Sequence, residues 1–362
     1  PKMQAVIQAR LAQLSVEAHK LAQLAAVIGQ DFTFELLLQA SNLDEDSVVR
    51  GLDELWQRRI IRRHGAIAYD FSHDRIRDVA YGETSPVRRQ QWHRRIAEVL
   101  AQLYAENRSA VYGALAHHYE QAGLLAEAVG YYHQVAEGAR RIYASREAIV
   151  YLNHAMILLK RLPTTSATQR LELALQMSVG AAWVPIKNYN SLEVAQAYER
   201  AMILCQSMEE SPQIFLTLWG LHEVYLFQAK FAKTLKPAEQ CLAIAQRLGD
   251  ATLLLHAYHA LWGTYFSFGP LTTTLFYARE GLALYDRQQH QDLAVAIERG
   301  GDLAAVDGGD GLIPRHLLRR DQVGEVDDRP VPQAQHGGPP HGRALPSVHA
   351  AMRKPSSSPN AT

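Results

Sequence analysis

"YDFSHDRIRDVAY", residues 69–81, is the stretch whose reading decides the fold of the N-terminal part. Tyr69 and Phe71 alternate with Ala68 and Asp70, the period of two expected of a half-buried strand. After Ser72-His73-Asp74 the pattern turns helical, so His73 stands where a strand hands over to a helix. By residue type alone such a histidine suits a helix cap, a metal ligand, a general base or a sensor of an anion, and all four stay open at this point.

Upstream, "RIIRRHGAIAYDF" supplies the rest of a hairpin, with His64-Gly65 as its turn. Ile67, Tyr69 and Phe71 are expected on one side of the returning strand, against Ala66, Ala68 and Asp70. Before the hairpin come three helical patterns. "SVEAHKLAQLAAVIG" sets Leu21, Leu24, Ala25 and Ile28 on one face and stops at Gly29. "FTFELLLQAS" is a second short helix, and "DEDSVVRGLDELWQRR" a third with acids at its positive end. Three helices and a hairpin in this order predict a winged helix. As a DNA reader it is poorly equipped. Asp44, Glu45 and Asp46 occupy the end that would meet phosphates, while Arg58, Arg59, Arg62 and Arg63 lie at the other. DNA is therefore not an expected partner.

Behind this unit the chain repeats. Leu221, Tyr225, Thr234, Ala238 and Leu242 recur 40 residues later as Leu261, Tyr265, Thr274, Ala278 and Leu282. Tyr112, Leu115, Ala116, Tyr119, Ala128 and Tyr132 mark an earlier copy whose spacing looks like a tetratricopeptide repeat. In such a stack the small residues let helices approach and the aromatics fill the grooves between pairs. "REAIVYLNHAMILL" and "LEVAQAYERAMIL" read as further second-helix halves, giving four or five helix pairs as the expectation.

Composition changes near residue 299. Residues 300–362 hold 9 of the 23 Gly and 8 of the 15 Pro, and none of the Tyr, Phe or Trp. Such a segment cannot bury enough surface to offset its ordering entropy, so a disordered tail is expected, with translation out of frame as the hypothesis for its origin. The expected domains are thus 1–105, a winged helix with a linking helix; 106–298, a tetratricopeptide-like α-solenoid; and 299–362, the tail. The fold class is mostly α.

The bulk numbers narrow the function. Lys plus Arg and Asp plus Glu balance at 37 each, leaving no net charge to favour nucleic acid or an acidic membrane. Cys205 and Cys241 sit in apolar helical runs and read as buried small hydrophobes. No run is long enough to span a bilayer, and a cytoplasmic protein without a membrane role is expected. The start at Pro1-Lys2, already inside a helical pattern, suggests a piece of something longer. No Gly-Lys dipeptide occurs, so the chain lacks a phosphate-binding loop and is not expected to be an enzyme by itself. His117-His118 are adjacent and His256/His259, at i and i+3, share a helix face, but no cysteine or carboxylate cluster joins them at zinc spacing, and no metal is expected. Trp219, Tyr258, Trp262 and Tyr265 form an aromatic stripe read as core.

Over roughly residues 1–298 the chain resembles STAND-type signalling ATPases, those found with bacterial adenylate or guanylate cyclase and kinase modules and followed by tetratricopeptide repeats. The residues that carry the resemblance are "AAVIGQDF", the third helix, "YDFSHDRIRDVAY" and "RRQQWHRRIAEVL". The "FSHD" string is also similar to the Met-His-Asp motif of plant immune receptors of that class, with Phe71-Ser72 in place of the Met. The resemblance implies that His73 is a sensor of the nucleotide phosphate and that Asp74 stabilises the turn beside it. It implies ATP or ADP held by an upstream ATPase domain in cis, none bound by this chain alone, and a protein or peptide docked on the repeats. One charge-assisted bond from His73 contributes about 1.5–3 kcal/mol. Swinging a two-state equilibrium from 1:99 to 99:1 takes about 5.5 kcal/mol, so a domain interface would have to supply the remainder. A DNA-binding transcriptional regulator and a stand-alone scaffold adaptor are the alternative functions.

Overall fold

The computed structural model describes residues 2–65, 67–206 and 212–286. The chain divides into two units, Pro1–Leu312 and Ile313–Thr362. The second unit, and the whole tail expected at 299–362, lie outside the described residues. What is described is mostly helical with one small sheet.

The N-terminal part runs α1 (Lys2–Leu11), α2 (Val16–Ile28), β1 (Phe32–Thr33), α3 (Phe34–Ser41), α4 (Glu45–Gln57), β2 (Ile61–His64), β3 (Ala68–Phe71), α5 (Asp74–Glu83) and α6 (Pro86–Leu103). Its helix starts are written locally. The side chains of Ser15, Thr33, Asp44 and Ser85 accept the N–H three residues on, at the head of α2, α3, α4 and α6. Each cap satisfies a backbone donor that the first turn leaves free, and loss of one costs about 1 kcal/mol. Leu21, Leu24 and Ala25 are buried as the periodicity requires, while Ile28 is only partly buried against the same core. Helix α4 crosses α2 at Gly51, where a Cβ would stand 2.4 Å from the Leu21 side chain, so glycine permits the approach.

The sheet departs from the sequence reading in two ways. It has three strands in the order β1-β3-β2, both pairings antiparallel, and β1 is not foreseen by the residue pattern. Phe32 lies opposite Tyr69 and Ile61 opposite Phe71, gathering the Phe32, Tyr69 and Phe71 rings at 6.0–6.3 Å. Two residues of strand carry no periodic signal; the pairing with β3 creates the strand. The second departure is Ile67, which belongs to the turn and is 77% exposed. Gly65, at φ +65°, turns the chain one step later than a His64-Gly65 corner would, since His64 still pairs with Ala68.

From Arg108 the chain is a helical repeat. A 3-10 turn (Arg108–Val111) leads into α7 (Tyr112–Gln121), α8 (Leu125–Arg141), α9 (Ser145–Leu159), α10 (Ser166–Lys187), α11 (Leu192–Cys205), α12 (Pro212–Phe227), α13 (Leu235–Leu248), α14 (Ala251–Phe268) and α15 (Leu271–Leu284). Each helix packs on its successor, and α8 also touches α10, as α12 touches α14. The 40-residue offset maps α12 and α13 onto α14 and α15. Leu221 and Leu261 are buried at matching places, as are Thr234 and Thr274, whose hydroxyls bond the carbonyls of Phe231 and Pro270. The earlier copy pairs α7 with α8 through Leu115, Ala116 and Ala128, all fully buried. Its aromatics bridge the helices: Tyr119 stacks on Tyr131 of α8 at 5.4 Å, and Tyr132 reaches on to Tyr151 of α9. Helix α8 thereby packs on both α7 and α9, so this end of the array is a run of shared helices more than a set of separate pairs.

Candidate functional site

At the strand–helix junction, the Ser72 N–H bonds the Ile60 carbonyl at 2.9 Å and fixes the turn out of β3. His73 then occupies the cap position of α5 in extended backbone, φ −149°, ψ 138°. Its imidazole makes no cap bond and is exposed. The side chain neither closes the helix nor packs beneath the hairpin. Asp74 begins α5, where a carboxylate suits the helix dipole, and stands 3.6 Å from Arg77. On the same helix Arg75, Asp78, Val79, Gly82 and Glu83 face α1 across an open cleft of about 450 Å³. The two residues singled out from the sequence are therefore adjacent at a free helix start, with imidazole available to meet a group from outside.

The far end of α5 enters a buried polar chain that the sequence reading does not contain. Tyr81 of α5 meets His93 of α6, its Oη 3.4 Å from Nε2. His93 Nδ1 lies 2.8 Å from Nδ1 of His118 on α7. His118 also bonds the Ile28 backbone at the end of α2 in the manner that favours its protonated form, as donation to a carbonyl does. With Nδ1 turned to His93, that donor is Nε2. The tautomers follow from the pattern: Tyr81 O–H donates to His93 Nε2, His93 Nδ1–H donates to His118 Nδ1, and His118 Nε2–H donates to Ile28. Every proton has a place when both rings are neutral. Burial pushes His93 down to about 4, assisted by His117 and Arg89. Burial likewise pushes His118 down to about 3, assisted by His93 and His117 and opposed by the Ile28 bond. The chain ties α2, α5 and α6 to the first helix of the repeat.

Along the array, polar side chains collect in three groups, on α7 to α9, on α8 with α10, and on α12 with α14. Glu137 accepts from Arg140 at 2.9 Å and from Ser178 at 2.6 Å, and the Ser178 hydroxyl lies 2.7 Å from His133 Nε2. Glu120 takes the Tyr132 hydroxyl at 2.7 Å and lies 2.9 Å from His154 Nε2. On α12, His222 Nδ1 is 3.1 Å from Glu223, and Nε2 is 2.9 Å from the Thr264 hydroxyl of α14. Glu223 is only 7% exposed. Its one partner among the described residues is that imidazole. Beside it Tyr189 stacks on Phe227 at 5.4 Å with its hydroxyl buried and unpartnered, and His259 Nδ1 is buried and unpartnered too.

Of the two histidine pairs, His117 and His118 keep their rings 5.4 Å apart, edge-on, beside His93. His118 is buried in the polar chain and His117 is exposed next to it. His256 packs edge-on against Trp219 at 5.8 Å, and His259 lies 5.2 Å from Trp262. Among the described residues no group of three or more His, Cys, Asp or Glu is placed to hold a metal ion. Trp219 is core, and Tyr258 and Tyr265 pack on Tyr277. Both cysteines are free and buried, as their apolar runs imply. The Glu223 group is invisible in one dimension because its members, at 189, 222, 223, 259 and 264, come from three elements. The one local signal is a charged residue inside the apolar run "FLTLWGLHEVYLF". No described helix is long and apolar enough to cross a membrane.

No family model matches the chain. An uncharacterized protein of Rhizobium meliloti (strain 1021) is 26% identical over 311 residues, covering 84% of this chain. The chain spans 30% of that relative's length. Among solved structures, a signal transduction ATPase with numerous domains (STAND) with a tetratricopeptide repeat sensor, from Pyrococcus horikoshii, matches 78% of this chain and 52% of its own. Its TM-score is 0.39 and its identity 11%. BtubC (BKLC) from P. vanneervenii covers 83% of this chain and 99% of its own at a TM-score of 0.21 and 13% identity. What these likenesses leave standing for this chain is a mostly helical protein with a repeat of helices behind a small sheet-bearing unit.

Proposed function

We propose that this chain is the regulatory and protein-interaction part of a STAND-type signal-transduction ATPase. Helices α2 to α4 with the sheet act as a winged helix that gates the nucleotide state of an ATPase domain lying upstream. The helices from α7 onward act as a tetratricopeptide-type array that docks a protein or peptide. The chain itself hydrolyses nothing and holds no nucleotide. His73 donates a hydrogen bond to a phosphate of ADP held by the upstream domain, and Asp74 steadies the helix start from which it reaches.

The observation that carries the reading is the free imidazole of His73 at the head of α5, a helix whose other end is tied through Tyr81 and His93 to the first repeat helix. A helix start offers free N–H groups and a favourable field to an anion. A load on the array has a short packed route to the phosphate contact. The relative's greater length leaves room for a further domain in a protein of this kind.

The test is made in a polypeptide that continues upstream of Pro1, read from the locus. His73→Ala should speed ADP release about tenfold or more while the melting temperature stays within two or three degrees, one lost charge-assisted bond being worth about 1.5–3 kcal/mol. An unchanged release rate, or an upstream sequence without a phosphate-binding loop, overturns the reading.

A further inference from the structure

We propose that the Glu223 group on the repeat array is a binding site for the cationic head of a basic side chain, lysine or arginine, presented by a docked peptide. The inference rests on the array being a docking surface and deepens that reading by naming the chemistry of the partner.

The argument starts from what Glu223 lacks. It is a carboxylate 7% exposed, and its one partner among the described residues is the neighbouring His222 at 3.1 Å. His222 is itself committed on its other side, with Nε2 2.9 Å from the Thr264 hydroxyl. Through Nδ1 the imidazole offers the acid a single hydrogen bond, which leaves the other carboxylate oxygen without a donor among the described residues. Buried carboxylates are ordinarily paired with a cation. Arg140, which acts on Tyr189, is engaged at 2.9 Å by Glu137.

Around the acid stand two more polar atoms without partners among the described residues. Tyr189 is 6% exposed and its Oη bonds none of them. Its ring stacks on Phe227, one helical turn beyond Glu223 on the same face of α12, and Glu223 is close enough to act on it electrostatically. His259 Nδ1 is buried without a partner, and its ring also feels Glu223. Burial lowers the His259 pKa, which keeps the ring neutral and leaves one nitrogen able to accept. The carboxylate oxygen accepts only, the phenol oxygen can accept, and the His259 Nδ1 accepts in the tautomer that carries its proton on Nε2. Their complement is a group that is all donor and positively charged, and ammonium and guanidinium are the two such groups in proteins. The stacked Tyr189 and Phe227 rings add a surface that attracts a cation. An anionic group would meet the Glu223 carboxylate, and an apolar one would leave the Tyr189 hydroxyl and His259 Nδ1 unsatisfied.

The test uses the whole 362-residue chain and four capped amino acids followed by NMR titration. They are Nα-acetyl-lysine amide, Nα-acetyl-arginine amide, the norleucine analogue and the glutamate analogue. Saturable binding of the lysine or the arginine probe, at least tenfold weaker in Glu223→Gln, supports the site, and the tighter of the two identifies the head group. Glu223→Gln keeps the shape, and Tyr189→Phe serves as a second variant should the first lose its fold. Tyr189→Phe should weaken the cationic probe at least threefold while leaving the melting temperature unchanged or raised, because it deletes an unsatisfied buried hydroxyl. A hydroxyl that only supports the fold would lower the melting temperature instead. Equal binding of the norleucine probe, preference for the glutamate probe, absence of binding to the folded chain, or an unaltered affinity in Glu223→Gln overturns the proposal. None of these readouts needs the ATPase domain, so a failure here is separate from a failure of the His73 experiment.

Discussion

The His93–His118 pair makes a direct statement about pH. Both pKa values lie below the ordinary 6.5, at about 4 and about 3, because burial opposes the charged ring. The unfolded chain therefore binds more protons than the folded one below pH 6.5, and stability falls as pH falls. The stabilisation is complete above the unfolded value and is lost progressively toward the folded values. At about 1.4 kcal/mol per pKa unit, His93 alone accounts for a loss on the order of 3 kcal/mol by pH 4. Chemical denaturation at pH 7, 6, 5 and 4 should show this slope, and His118→Gln should flatten it; an unchanged profile in the variant would assign the acid sensitivity elsewhere. The cysteines offer a second check at the same scale. Cys241 is buried against the Phe215 carbonyl at 3.7 Å, and burial raises its pKa. The thiolate is the reactive form, so iodoacetamide should label Cys241 only after unfolding.

Single elements show where local signals suffice and where they stop. Helix α14 is written into its own residues: Asp250 accepts the N–H groups of Thr252 and Leu253 at 2.8 and 3.0 Å. Asp250→Ala should lower stability by about 1 kcal/mol, readable as a shift in the urea midpoint with an unchanged slope. Helix α11 behaves otherwise. Its Tyr198 ring wedges between Gly180 of α10 and Gly220 of α12, where an added Cβ would come within 2.8 and 2.1 Å of the ring. Gly220→Ala should cost about 1–3 kcal/mol by overpacking, and less when Tyr198 is also reduced to alanine. Nothing in the sequence around 180, 198 or 220 marks that meeting, because its members lie on three helices. Strand β1 fails to announce itself for the same reason: Phe32 and Thr33 become a strand only when Tyr69 and Ala68 arrive opposite them.

At the scale of the molecule, the array depends on neighbours. Cys241, Ile244 and Ala245 of α13 share one apolar cluster with Leu253, Ala257, Ala260 and Leu261 of α14. A chain ended after Gly249 should expose that face, so that Cys241 is alkylated under native conditions while the acid profile set by His93 and His118 persists. Intact protection of Cys241 in the shortened chain would contradict nearest-neighbour stacking. The residues alone determined the helices, because caps such as Ser15 and Asp44, a 3.6-residue apolar period and the 40-residue recurrence are local and repeat in one dimension. They also placed His73 at a helix start, since a change of period is visible in the chain. Tertiary structure alone decided that its imidazole is free, that His118 is hydrogen-bonded to His93, that β1 exists, and that Glu223 is buried beside Tyr189 and His259. Those facts depend on which distant residues fill the space around a side chain. Burial and hydrogen bonding are properties of that space, and periodicity along the chain carries no record of it.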